Sequence, residues 1–132
     1  MTYEGGCFCG SVRYRCEADP DSVTHCHCLH CRRTSGAAFV TWAEFSRGVF
    51  RFTMGEPATL SSRQGVLRSF CASCGTPLTY SNATTPDRID VTACSLDDPL
   101  SLTPQDHVYH SRKLPWIHLS DRLPVYPIER QG

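Results

Sequence analysis

Apolar and polar residues alternate along much of this chain, and the alternation predicts strands. Over 11–18, "SVRYRCEA", Val12, Tyr14, Cys16 and Ala18 share one side, with Ser11, Arg13, Arg15 and Glu17 on the other. "VFRFTM" (49–54) sets Phe50, Phe52 and Met54 together, and "RIDVTA" (88–93) does the same with Ile89, Val91 and Ala93. A period of two with one polar face belongs to antiparallel sheet. "AAFVTWAEF" (37–45) and "HVYHSR" (107–112) alternate less strictly and are also predicted as strands. Glycines and prolines mark turns at "GEP" (55–57), "TTPD" (84–87) and "DDP" (97–99). One short helix is expected over "LHCRRTS" (29–35), stopping at Gly36, a usual left-handed cap. The C-terminal "PVYPIERQG" is too broken by proline for a regular element and is expected to trail along the surface. The fold class is therefore mainly β with at most short helices. Residues 1–132 are read as a single domain, with the motif-bearing region about 3–127.

Charge narrows the partners. Thirteen basic residues balance thirteen acidic ones, and no basic stripe is interleaved with aromatics, so nucleic acid is not an expected partner. The opening "MTYEGGCFCG" lacks the basic and apolar regions of a signal peptide. No apolar run approaches the roughly 18 residues of a membrane span. A cytoplasmic location and no membrane partner are expected. In that reducing setting nine cysteines, an odd count, read as metal ligands or chemistry rather than as a disulfide scaffold.

Seven of the nine cysteines are clustered. "CFCG" carries Cys7 and Cys9, "HCHCLHC" carries Cys26, Cys28 and Cys31, and "CASCG" carries Cys71 and Cys74. A tight turn brings two thiolates within reach of one tetrahedral zinc ion, and the glycine after it lets the backbone fold round the metal. Seven ligands do not divide into two fours. One site can close with four sulfurs, which is structural; three sulfurs leave a coordination position open. Spacing alone does not say which clusters pair, since Cys28 and Cys31 with Cys71 and Cys74 would also suit a zinc ribbon.

Six blocks occur in a set order: "GGCFCGSVRY" (5–14), "HCHCLHCRRTSGAAF" (25–39), "RSFCASCGTPL" (68–78), "SLDDP" (95–99), "HVYHSRKLPW" (107–116) and "LPVY" (123–126). In these the chain resembles the glutathione-dependent formaldehyde-activating enzyme family, which includes centromere protein V-like chains. The resemblance implies a small zinc-stabilised β fold of the Mss4-like kind and two zinc ions per chain. By the same resemblance Cys7, Cys9, Cys71 and Cys74 hold the structural zinc, and Cys26, Cys28 and Cys31 the second, catalytic-type zinc. It also implies the reaction: glutathione plus formaldehyde giving S-hydroxymethylglutathione, formally a carbon–sulfur lyase run in reverse.

The ligand chemistry agrees with that expectation. An open zinc with three thiolates suits a further soft thiolate, which it would bind at lowered pKa and present to a small carbonyl. The expected partner is thus a small thiol such as glutathione. Arg32 and Arg33 follow Cys31 and either offset the thiolate charge or receive a substrate carboxylate. His27, between two converging ligands, is expected to point away from the metal. His25 and His30 are candidates for supporting bonds or a fourth ligand, and one of His107, His110 and His118 for folding over the open position. Cys16 reads as a core residue, Cys94 is assigned no role, and Trp116 is core, a pocket wall, or both. A zinc deaminase is excluded, because His27 stands where it needs glutamate and Phe70 where it needs proline. The retained alternative is a non-catalytic zinc module that binds a protein partner, its second site closed by a histidine or empty.

Overall fold

The computed structural model describes residues 1–130. A three-stranded sheet runs in the order β1 (Tyr3–Gly6), β2 (Arg13–Cys16), β5 (Phe50–Met54). A seven-stranded sheet is built from β3 (Ser22–Cys26), β4 (Val40–Ser46), β6 (Ala58–Arg63), β7 (Val66–Phe70), β8 (Pro77–Asn82), β9 (Arg88–Thr92) and β10 (Asp106–Val108). Its spatial order is β10-β3-β4-β9-β8-β7-β6. All neighbours pair antiparallel except β10 with β3, which run parallel. The one α-helix among the described residues, α1 (Leu29–Ser35), ends at Gly36, whose φ of 72° closes it with an N–H bond to the Arg32 carbonyl.

Alternation explains how the large sheet carries two different faces. Val23, Ala43, Phe45, Leu78, Ile89 and Val91 point to one side and share a core with Tyr3, Val12, Tyr14 and Cys16 of the small sheet. Cys26 and Trp42 point to the other side, where α1 covers them through Cys31. Phe45 lies at the centre of the main core, fully buried and 5.9 Å from the Tyr3 ring. Phe45→Ala is expected to cost about 3–5 kcal/mol, read from urea unfolding of the metal-loaded protein.

Some predicted elements are shorter than the pattern suggested. The strand predicted over 11–18 is only Arg13–Cys16, although Val12, Tyr14 and Cys16 do face the core. Met54 ends β5 more than half exposed, whereas Phe50 and Phe52 pack against the main core. The fourth strand begins at Val40 rather than at residue 37. The predicted strand over 107–112 stops at Val108: Tyr109 takes φ 52°, which breaks the extended chain, and a 3-10 turn follows at His110–Arg112. The C-terminal segment is irregular, as its prolines require, yet it does not merely trail. His107 N–H donates to Pro124 O, Tyr126 N–H to His107 O and Tyr109 N–H to Ile128 O, which lashes it along β10.

Candidate metal centres

The first centre joins two hairpin knuckles. Cys7 and Cys9 flank the turn after β1, and Cys71 and Cys74 flank the turn after β7. All four donor atoms lie within 4.8 Å of one another. Cys7 Sγ is 3.6 Å from Cys9 Sγ, and Cys9 Sγ is 3.7 Å from Cys71 Sγ. Sulfurs each about 2.3 Å from a tetrahedral ion would stand about 3.8 Å apart, so the set has the size of a zinc site. Gly10 and Gly75 close the knuckles at φ 80° and 82°, a region side chains resist, and each returns an N–H to the first cysteine's carbonyl. Backbone donors also reach the sulfurs: Val12 N–H to Cys7 Sγ at 3.3 Å and Cys74 N–H to Cys71 Sγ at 3.5 Å. Hydrogen bonding, led by the Thr76 hydroxyl, lowers the Cys74 thiol to about 5. Cys7 is lowered as well and Cys9 raised, so the hydrogen bonds favour the thiolate at Cys7 and Cys74.

The second centre is local in sequence. Cys26 ends β3, Cys28 is the N-cap of α1, and Cys31 lies in its first turn, so one β–α junction supplies all three sulfurs. Cys26 and Cys31 sulfurs are 3.6 Å apart, and Cys31 N–H donates to Cys28 Sγ at 3.2 Å. Without metal, the three share protons unequally. Bonds from Cys26 and then Cys31 pull the Cys28 thiol down to about 2, while the Cys26 thiol is raised, chiefly by its bond to Cys28. Val40, Trp42, Tyr80, Val108 and Tyr109 surround the cluster. Among the described residues no histidine, carboxylate or fourth thiol joins these three donors.

The basic residue against these sulfurs is Arg68, which sequence reasoning missed. Its Nη2 lies 4.0 Å from Cys31 Sγ, its guanidinium sits over the Tyr80 ring at 4.9 Å, and it is 8% exposed. Arg33 is exposed; Arg32 is half-buried, with Nε lacking a partner. Tyr109, not a histidine, folds over the cluster. Burial first, then Glu129, raises its phenol to about 12, so it keeps its proton at neutral pH. The signals were faint: Arg68 opens the block "RSFC", and Tyr109 sits inside "HVYHSR".

The histidines go elsewhere. His27 is fully buried and points away from the thiols, with Nε2 2.9 Å from His107 Nδ1. His25 bonds Thr41, His110 meets the His27 and His107 rings edge-on, and His30 is exposed. Cys16 is a core thiol, which burial pushes up to about 12; Cys94 is exposed. Trp116 is 65% exposed and belongs to neither core cluster.

A cavity of about 320 Å³ adjoins the second centre, lined in part by Val40, Trp42, Arg68 and Thr79. A larger depression of about 390 Å³ lies near Met1 and Asp98; neither cavity is lined by a cysteine, but only the smaller one shares Val40, Trp42 and Arg68 with the surroundings of the second centre. On the same sheet face Asp90 stands beside Glu44 and opposite Tyr80. Burial, then the Glu44 charge, pushes its carboxyl from 3.8 up to about 7. A carboxyl whose folded value is raised favours the folded state at low pH and loses that advantage as pH rises through the folded value. Asp90→Asn is therefore expected to raise the melting temperature at pH 8 more than at pH 5.

The sequence profile of the glutathione-dependent formaldehyde-activating enzyme family matches residues 2–112. A Halomonas elongata protein provisionally named a glutathione-dependent formaldehyde-activating enzyme is 25% identical, the match covering 92% of this chain and 83% of that protein. A Rhodobacter sphaeroides protein of known crystal structure is similar in fold, with a TM-score of 0.62 at 23% identity, over 76% of this chain and 97% of that one. No helix among the described residues is long and apolar enough to cross a membrane. The mainly β frame and the two cysteine clusters, each able to hold a metal ion, stand in a chain that belongs to the glutathione-dependent formaldehyde-activating enzyme family.

Proposed function

We propose that the chain is a zinc protein of carbon–sulfur lyase type that activates a thiol such as glutathione for addition to formaldehyde or another small carbonyl. The reading rests on the three-sulfur cluster, which lacks a fourth protein donor among the described residues and adjoins a cavity. Two zinc ions are proposed: one held by Cys7, Cys9, Cys71 and Cys74 for structure, the second by Cys26, Cys28 and Cys31. Zinc at the second centre would supply Lewis acidity, lowering the pKa of an incoming thiol. In the addition, the carbon–sulfur bond forms as the carbonyl π bond breaks, and the thiol proton ends on the former carbonyl oxygen.

The chain's own groups have separate tasks in this scheme. Arg68 offsets the thiolate charge from within hydrogen-bond range of Cys31. Trp42 and Val40 exclude water from the apolar side of the cavity. Tyr109 holds a proton beside the cluster at its Oη. Arg32 and Arg33, on α1, would receive a carboxylate of an anionic thiol. A reducing compartment such as the cytoplasm would keep all nine thiols free.

Cobalt in place of zinc supplies the test, since sulfur-to-cobalt charge-transfer bands report thiolate binding directly. Glutathione is expected to intensify those bands and release about one proton per chain. Arg32→Ala and Arg33→Ala are expected to weaken glutathione more than a neutral thiol. Adduct formation with formaldehyde should then exceed the metal-free rate. No spectral change with any thiol, with metal bound, would overturn the reading. A spectral change without acceleration would keep the thiol site and remove the formaldehyde reaction.

A further inference from the structure

Outside the cysteine clusters, the described residues bring together one more set of metal-ligating side chains: His25, His107 and Asp121, with donor atoms all within 4.8 Å of one another. The parallel pairing of β3 with β10 sets His25 directly beside His107, their ring centroids 4.7 Å apart. Asp121 arrives from the C-terminal lash, placing Oδ2 2.7 Å from His107 Nε2. Strand alternation puts His25 on the side of β3 opposite Cys26, so this set is separate from the second cysteine centre.

The ring anchoring is what distinguishes a ligand set from chance proximity. A metal-binding imidazole characteristically donates its other ring N–H to a fixed acceptor, which sets both tautomer and orientation. Both histidines have a fixed partner for the ring nitrogen that would play this part. His25 Nδ1 is 2.7 Å from Thr41 Oγ1, which leaves Nε2 uncommitted. His107 Nδ1 is 2.9 Å from His27 Nε2, and its Nε2 faces Asp121. The remaining oxygen of Asp121 accepts Leu123 N–H at 3.1 Å, which fixes the carboxylate. His107 is 1% exposed and Asp121 39%, so the set has a buried floor and an opening to solvent.

We propose that His25, His107 and Asp121 form a third metal site, for a borderline divalent cation such as zinc, cobalt or nickel. Two imidazoles and one carboxylate suit such ions, and the cation would take the place of the proton shared by His107 Nε2 and Asp121 Oδ2. Water or an external ligand completes the coordination on the Asp121 side. Occupancy has a cost in this chain. His107 must then donate from Nδ1 to His27, which moves the His27 proton to its own Nδ1, a buried atom without a partner. The site therefore binds more weakly than either thiolate cluster.

The full chain, loaded with zinc at the two thiolate clusters and freed of more weakly held zinc by a mild chelator, is dialysed against cobalt(II), and bound metal is counted alongside the visible spectrum. One cobalt per chain beyond the zinc is expected, without sulfur charge-transfer absorption. Asp121→Ala and His25→Ala are expected to abolish that uptake while leaving the zinc content unchanged. Thr41→Val, which removes only the anchor of His25, is expected to weaken it by about 10–100-fold. Asp121 and Thr41 lie outside the main core, so these variants remain folded. No uptake beyond the zinc, uptake that carries sulfur bands, or uptake undiminished in Asp121→Ala and His25→Ala would each overturn the site. None of these results depends on thiol addition, so a failure here leaves the proposed activity untouched.

Discussion

Cys71→Ser is expected to leave the protein largely unfolded. Cys71 is 1% exposed, and its sulfur lies 3.7 Å from that of Cys9, more than sixty residues earlier in the chain. A metal held there closes a long loop and ties the first knuckle, on the small sheet, to the second, on the large one. Structural zinc contributes roughly 10–16 kcal/mol in small zinc peptides, whereas whole domains retain only about 5–15 kcal/mol of net stability. Loss of one sulfur also strands three buried or hydrogen-bonded thiolates without their counter-ion. Far-ultraviolet circular dichroism should show a loss of native signal at room temperature, with zinc content falling in parallel. A folded variant that retains one zinc would contradict the structural role assigned to this centre.

The main core and the helix stop were legible because they follow simple periods. Val12, Tyr14 and Cys16, or Ile89 and Val91, alternate in the sequence as they do in the core, and Gly36 ends α1 where a glycine was expected. Strands β6, β7 and β8 were not marked by that pattern. Their buried positions include Arg68, Ser69 and Thr79, and the last two satisfy each other by a hydroxyl–hydroxyl bond across the strands. Hydropathy alternation cannot register a polar side chain whose partner lies on another strand. Spacing left the cysteine pairing open for a related reason. Cys26 joins Cys28 and Cys31 because β3 ends there facing α1, while Cys7 and Cys9 meet Cys71 and Cys74 through the contact of two sheets.

The same limit explains the second centre's surroundings. Arg32 and Arg33 were conspicuous because they adjoin Cys31 in sequence, yet the guanidinium at the sulfur comes from Arg68, on β7. Tyr109 is invisible to pattern reading because its position depends on a positive φ, which few non-glycine residues adopt. Such strain is retained where the surroundings over-determine it, here by Tyr109 N–H to Ile128 O and by packing on the cysteine cluster. A lone arginine in a strand and a tyrosine between two histidines acquire meaning only from the tertiary contact.

Cys28→Ser is expected to leave a folded protein that has lost its second metal and, with it, all thiol binding. The contrast with Cys71 follows from chain geometry. Cys26, Cys28 and Cys31 span one short junction, so the metal closes only a small loop and constrains the unfolded chain little. Their cluster with Trp42 is a satellite on the helix side, while the main core lies between the sheets. Serine is itself a strong N-cap, and its Oγ can accept the Cys31 N–H that Cys28 Sγ now accepts, so α1 keeps its start. Zinc content should fall from two per chain to one, with the melting temperature lowered but the transition still cooperative. Cobalt-loaded Cys28→Ser should show no change in charge-transfer absorption with glutathione. Equal loss of structure in Cys28→Ser and Cys71→Ser would abolish the division of labour between the two centres. Retained thiol binding in a folded Cys28→Ser protein that has lost the second metal would instead place the thiol away from this centre.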